Sequence, residues 1–131
     1  VLDNLNESIN LSRKLIVDST AKWIEYIEAY KKLVLLTYHG HVLITDLQKD
    51  LHQTVLFEIT NLPIHKDSFR FEDFQIHLVG KLLFMGYRGG TEILASNAVD
   101  GGRIVKKYHL PKPFEQFSVS SDYSRLYIRT K

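Results

Sequence analysis

Apolar residues along this chain come in short runs, cut at intervals by glycine, proline or a pair of polar residues, which is the punctuation of strands and turns. Ile24 to Ala29 is the first expected strand, with a tight turn near Tyr30-Lys31. Leu33 to Tyr38 is the second, and His39-Gly40 forms a hairpin turn in which glycine permits positive φ. Val42 to Leu47 is the third, residues 48–53 a polar loop, and Thr54 to Thr60 the fourth. Pro63 then stops pairing, because proline cannot donate to a ladder. A second set follows in the same order: Phe74 to Val79, Leu82 to Tyr87, Thr91 to Ser96 and Arg103 to Leu110. Its turns are expected at Gly80, Arg88-Gly89-Gly90 and Asp100-Gly101-Gly102. Glu115 to Ser120 and Arg125 to Thr130, joined by Ser121 to Ser124, open a third set.

The sets match in letters as well as order. Lys32-Leu33-Val34-Leu35-Leu36-Thr37-Tyr38-His39-Gly40 is answered by Lys81-Leu82-Leu83-Phe84-Met85-Gly86-Tyr87-Arg88-Gly89, a step of 49 residues from Lys32 to Lys81. Such a period signals a repeat architecture. The second strand of each set is apolar throughout rather than alternating, so it requires cover on both faces. Sheets stacked face to face around an axis provide that cover. The expected fold is therefore all-β: antiparallel four-stranded blades of a β-propeller, about two and a half of them. Residues 22–63 and 64–111 would be blades and 112–131 the start of another. Residues 1–21 would be a lead-in segment. Within it, Leu5, Ile9 and Leu15-Ile16 could line a short helix starting at Asp3 or Asn4, or Arg13 to Val17 could be the last strand of a preceding blade, the reading preferred.

Gly40-His41-Val42-Leu43-Ile44-Thr45-Asp46-Leu47 resembles the hairpin and third strand of a WD40 blade, with Thr45 where tryptophan is typical. Phe117-Ser118-Val119-Ser120-Ser121-Asp122, followed by Arg125-Leu126, is similar to the segment that opens such blades. The second set departs further, with Ala95-Ser96 in place of Trp-Asp. The resemblance spans residues 22–131 and implies a rigid platform for binding other proteins. In that family, partners meet the loops between second and third strands and those joining blades. By position these are His39, His41 and Arg88, with His65, Lys66 and Lys112 from the connectors. On this reading, Arg88→Glu weakens partner binding and leaves the fold intact. Propellers close with about four to eight blades, so this stretch, with Val1 at its start, reads as a portion of a larger propeller completed by further sequence or by a partner.

Composition narrows the chemistry. The chain has 131 residues, 44% of them hydrophobic and 24% charged, which fits a folded domain. It has no cysteine, which removes disulfides, thiolate zinc sites and thiol nucleophiles. No apolar run reaches the roughly 18 residues of a membrane span, and no signal-peptide layout opens the sequence. The expected compartment is intracellular, cytoplasmic or nuclear. Seventeen basic against fifteen acidic residues leave a net charge of +2, too balanced to imply nucleic acid by itself.

His39-x-His41 lacks the third ligand that zinc requires, so no metal is assigned. Gly89-Gly90 and Gly101-Gly102 precede strands, whereas phosphate cradles precede helices, so no cofactor is assigned either. Ser118, Ser120, Ser121 and Asp122 supply triad residue types without a nucleophile elbow, and Ser-Ser-Asp reads as a turn. The expected function is a non-catalytic protein–protein interaction scaffold, with other protein subunits as partners. Two alternatives stand beside it: binding of nucleic acid or an anionic ligand through a basic rim that includes Lys31-Lys32, Lys106-Lys107 and Arg88, and a self-contained small β-barrel.

Overall fold

The computed structural model of this chain describes residues 21–48, 52–62 and 70–130; residues 1–20 of the lead-in segment, on which its two readings rest, lie outside the described residues. The chain divides into two compact units, Val1–Leu56 and Phe57–Lys131. The first four strands are β1 Ala21–Ile27, β2 Lys32–Thr37, β3 His41–Asp46 and β4 His52–Glu58, the last running across the boundary between the units. The second unit continues with β5 Phe74–Val79, β6 Leu82–Tyr87, β7 Glu92–Asn97, β8 Arg103–His109, β9 Phe114–Val119 and β10 Leu126–Thr130. Three 3-10 turns complete the described residues, and no α-helix occurs among them.

The protein is thus all-β, in antiparallel sheets of four, four and two strands ordered β1-β2-β3-β4, β5-β6-β7-β8 and β10-β9. None of the three closes on itself, the closure a small barrel would require. The expected strands are present with shifted ends. β1 starts at Ala21 and stops at Ile27, because Glu28–Tyr30 turns as a 3-10 segment and Lys31 enters the left-handed region at φ 52°.

Strand pairing gives the two four-stranded sheets a correspondence different from the letter match. Leu33 lies opposite Thr45, and Leu83 lies opposite Ser96. The hairpin is closed by the Gly40 N–H on the Thr37 carbonyl (3.1 Å) in one sheet and by the Gly90 N–H on the Tyr87 carbonyl (2.9 Å) in the other. The two second strands therefore correspond at a step of 50 (33 to 83, 37 to 87) and the third strands at 51 (45 to 96), the turn between β6 and β7 being one residue longer. Burial agrees: both second strands are buried at each residue after the first, and both third strands at their four central residues. The letter match at 49 is one residue out, because an unbroken apolar run still reads as apolar after a slip of one. The correspondence extends to the strand ends. The Asp46 carboxylate accepts the Gln48 N–H (2.9 Å), and the Asn97 side-chain oxygen accepts the Val99 N–H (3.1 Å). Ser96-Asn97, not Ala95-Ser96, is thus the counterpart of Thr45-Asp46. Thr45 and Ser96 are both fully buried, and neither hydroxyl has a hydrogen-bond partner among the described residues.

In the first unit Leu33, Leu35 and Leu43 form a core with Ala21, Ile24 and Leu47 packed against it. In the second, Phe84, Ile93 and Ala95 of the sheet pack with Phe114 and Phe117 of the β9–β10 hairpin. The two phenylalanine rings meet edge to face at 5.5 Å between centroids. Burying each contributes about 1.5–3 kcal/mol. The Gln75 amide fixes this docking: its Nε2 donates to the Glu115 carbonyl (2.7 Å) and its Oε1 accepts the Phe117 N–H (3.0 Å). A single side chain thereby supplies both hydrogen bonds that one residue of a neighbouring parallel strand would make.

Candidate functional site

The hairpin tips between second and third strands hold three of the residues singled out from the sequence, and they are built differently. At the β2–β3 tip, in the first unit, Gly40 takes φ 87° and the Thr37 hydroxyl accepts the His41 N–H (3.0 Å). This leaves Tyr38 and His39 projecting. Tyr38 is 55% exposed, its ring is edge-on to His39 at 5.9 Å, and the Lys22 ammonium lies 5.2 Å from its centroid. His41 is half-buried at the base. A phenol, an imidazole and an ammonium therefore share one small surface, a set that can accept and donate hydrogen bonds and stack.

The β6–β7 tip, in the second unit, is tied down. Gly89, at φ 86°, donates its N–H to the Phe114 carbonyl (2.7 Å), and Gly90 accepts the Phe114 N–H (3.0 Å). The Arg88 N–H binds the Asp73 carbonyl (2.7 Å), and the guanidinium binds the Asp73 carboxylate at 3.1 Å. Arg70 Nε lies 3.8 Å from the other carboxylate oxygen. Arg88 is thus a strut between the tip and the 3-10 turn Phe71–Asp73. Lys112 is exposed on the short connector from Leu110 to Phe114, and the bonds from Phe114 bring it to the same end of the sheet as Arg88. His65 and Lys66 lie outside the described residues.

Sequence reading missed Asp73 and Gln75. Nothing in Phe71-Glu72-Asp73 marks a turn that meets Arg88. Gln75 and His77 alternate with Phe74 and Ile76, which reads as a wet strand face. In the fold that face receives β9: the His77 ring is edge-on to Phe117 at 4.8 Å. Burial pulls the His77 pKa below its ordinary 6.5, partly opposed by a hydrogen bond to the Phe117 backbone. Burial likewise pushes the Tyr87 hydroxyl up to about 12.

The remaining constellations are structural in geometry. The Ser120 and Ser124 hydroxyls both donate to the Asp122 carboxylate (2.7 Å each), so their protons serve a turn rather than a histidine. The bond from Ser124, then that from Ser120, holds the Asp122 pKa down to about 2. Among the described residues no three histidine, aspartate or glutamate side chains gather to hold a metal ion. No helix among them is long and apolar enough to cross a membrane. Several basic side chains of β8 have partners: Lys107 and His109 face Glu92 (3.3 and 3.4 Å), Arg103 faces Asp100 (3.1 Å) and Lys106 lies over the Tyr108 ring (4.9 Å).

Comparison with known proteins gives no match to any family model, any curated protein or any solved structure.

Proposed function

We propose that this chain is a non-catalytic protein–protein interaction scaffold, a WD40-like β-propeller segment that works within a larger protein or complex. The observation that carries this reading is the shared plan of the two four-stranded sheets: matched pairing, matched burial and matched side-chain caps at the ends of β3 and β7. The β9–β10 hairpin begins a third sheet, and open edges favour association. Each unit offers a surface of its own to a protein partner: the Tyr38-His39 tip in the first and the Lys112 connector in the second. Nucleic-acid binding is the weaker reading, because Arg88, Arg103 and Lys107 each face a carboxylate.

Size-exclusion chromatography with light scattering tests the proposal. The purified chain is expected to self-associate alone and to run as a defined complex with its copurifying proteins, identified by mass spectrometry. His39→Glu is expected to weaken that complex without lowering the melting temperature. A well-behaved monomer that holds no partner would overturn the reading.

A further inference from the structure

Two residues other than glycine take a positive φ among the described residues. Lys31, at 52°, caps a 3-10 turn and is exposed. Tyr123, at 63°, lies in the turn between β9 and β10, and a bulky side chain makes the left-handed region costly there. The ring of Tyr123 lies on Gly80, in the turn between β5 and β6, which is itself left-handed at 62°. A Cβ on Gly80 would run into the Tyr123 hydroxyl and stand 3.1 Å from the ring carbon that bears it. The missing side chain at 80 is therefore the seat of the phenol at 123. Both turns belong to the second unit.

The bonds that shape the β9–β10 turn do not hold this ring. The Ser120 hydroxyl, the Ser124 hydroxyl and the Ser124 N–H all donate to the Asp122 carboxylate. The Arg125 N–H donates to the Ser120 hydroxyl and the Ser120 N–H to the Arg125 carbonyl, both at 2.9 Å. Tyr123 itself enters through its backbone alone, its N–H donating to the Ser120 carbonyl at 3.1 Å. The residue stays 46% exposed. Further along, β9 is docked by other means, through Gln75 and the buried rings of Phe114 and Phe117. The ring can thus leave Gly80 without undoing the turn or the hairpin. The cost of the left-handed backbone and the gain from half-covering one ring are of the same order, so they nearly cancel.

We propose that the β9–β10 turn is a two-state latch. Closed, Tyr123 keeps its left-handed backbone and seats its phenol on Gly80. Open, Tyr123 relaxes to an ordinary backbone, its ring swings into solvent, and β9 stays docked on β5. The two states offer different surfaces, a covered Gly80 turn in one and a bare turn beside a projecting phenol in the other. This goes beyond the scaffold reading and does not depend on it.

Fluorine NMR of the full chain carrying 3-fluorotyrosine tests the latch, with Tyr123→Phe identifying its signal among those of the seven tyrosines. The Tyr123 signal is expected to be doubled or broadened by exchange. Gly80→Asn supplies a Cβ on a residue that tolerates left-handed backbone, and is expected to move the signal to its solvent-exposed position. In the unaltered chain the Tyr123 amide should exchange with solvent about tenfold or more faster than the Phe117 amide, because the turn opens without the hairpin. Gly80→Asn should also lower the melting temperature less in a Tyr123→Ala background, where the clash is gone. A single sharp Tyr123 signal that Gly80→Asn leaves in place would overturn the proposal. So would equal exchange of the two amides, or an equal melting-temperature loss in both backgrounds.

Discussion

The two hairpin tips occupy the same place in their sheets and do opposite things. The β2–β3 tip leaves Tyr38 and His39 in solvent, while the β6–β7 tip spends its backbone on Phe114 and its arginine on Asp73. The difference lies in the neighbours. The second tip has a hairpin docked beside it, and a tip that positions another element has fewer groups left to offer a partner. Equivalent positions in two sheets therefore need not share surroundings: Arg88, singled out beside His39 from its place in the pattern, faces the Asp73 carboxylate, whereas His39 stands in solvent.

The comparison can be broken hardest at Phe114. Phe114→Ala removes a ring that is 1% exposed and is expected to cost the second unit about 3–5 kcal/mol. His39→Ala at the open tip should stay within about 0.5 kcal/mol. Urea unfolding of both variants checks the contrast, and a Phe114→Ala loss no larger than that of His39→Ala would end it.

Next comes Gly86, at the foot of the tied tip. A Cβ there would stand 2.9 Å from the Phe114 ring and 3.2 Å from the Glu92 carbonyl. Gly86→Ala should cost about 1–3 kcal/mol through overpacking, read as a lowered denaturation midpoint. The same measurement on Leu36→Ala, the corresponding position of β2, reports a cavity instead and separates the two environments.

A smaller effect is expected from the strut itself. Arg88 and Asp73 are 49% and 34% exposed, so a double-mutant cycle with Arg88→Ala and Asp73→Ala should return about 0.2–1 kcal/mol, diminished by salt. Arg88→Glu sets a second carboxylate beside Asp73, so any loss of partner binding has to be judged against loosening of the tip. A coupling of zero would restore Arg88 to the free surface.

The smallest effect is carried by pH. The folded-state pKa of His77 is held below 6.5, so in the window between that lowered value and 6.5 the unfolded chain binds the extra proton. His77 thus imposes no penalty above 6.5, and stability falls as pH drops through the window. Thermal melts at neutral and mildly acidic pH should show this decline, and His77→Gln should reduce it. An unchanged pH profile in that variant would clear His77 of the role.

The strands and turns were legible because glycines and prolines punctuate the chain and because β2 and β6 are apolar from end to end. That same uniformity concealed the register: with no alternation to mark a face, a slip of one costs the pattern nothing. Tyr38 and His39 could be placed from the glycine that follows them. Arg88 could be placed as well, but not its partner, since Asp73 lies fifteen residues upstream in a turn without a local marker. Gln75 was hidden for a subtler reason. Its amide behaves as backbone, and alternation counts it as a polar side chain facing water.

That amide has a further consequence. The strand after the β8 edge is pinned at both ends of its approach, by the Leu110 N–H on the Thr91 carbonyl and by Phe114 and Phe117 on Gly90 and Gln75. The exposed stretch of residues 111–113 between them carries no alignment duty. Extra residues inserted there would loop outward at only a slowly growing entropic cost, leaving the docked hairpin in place. The connector that bears Lys112 is thus a grafting point, where a peptide epitope could be displayed on this protein without redrawing its core.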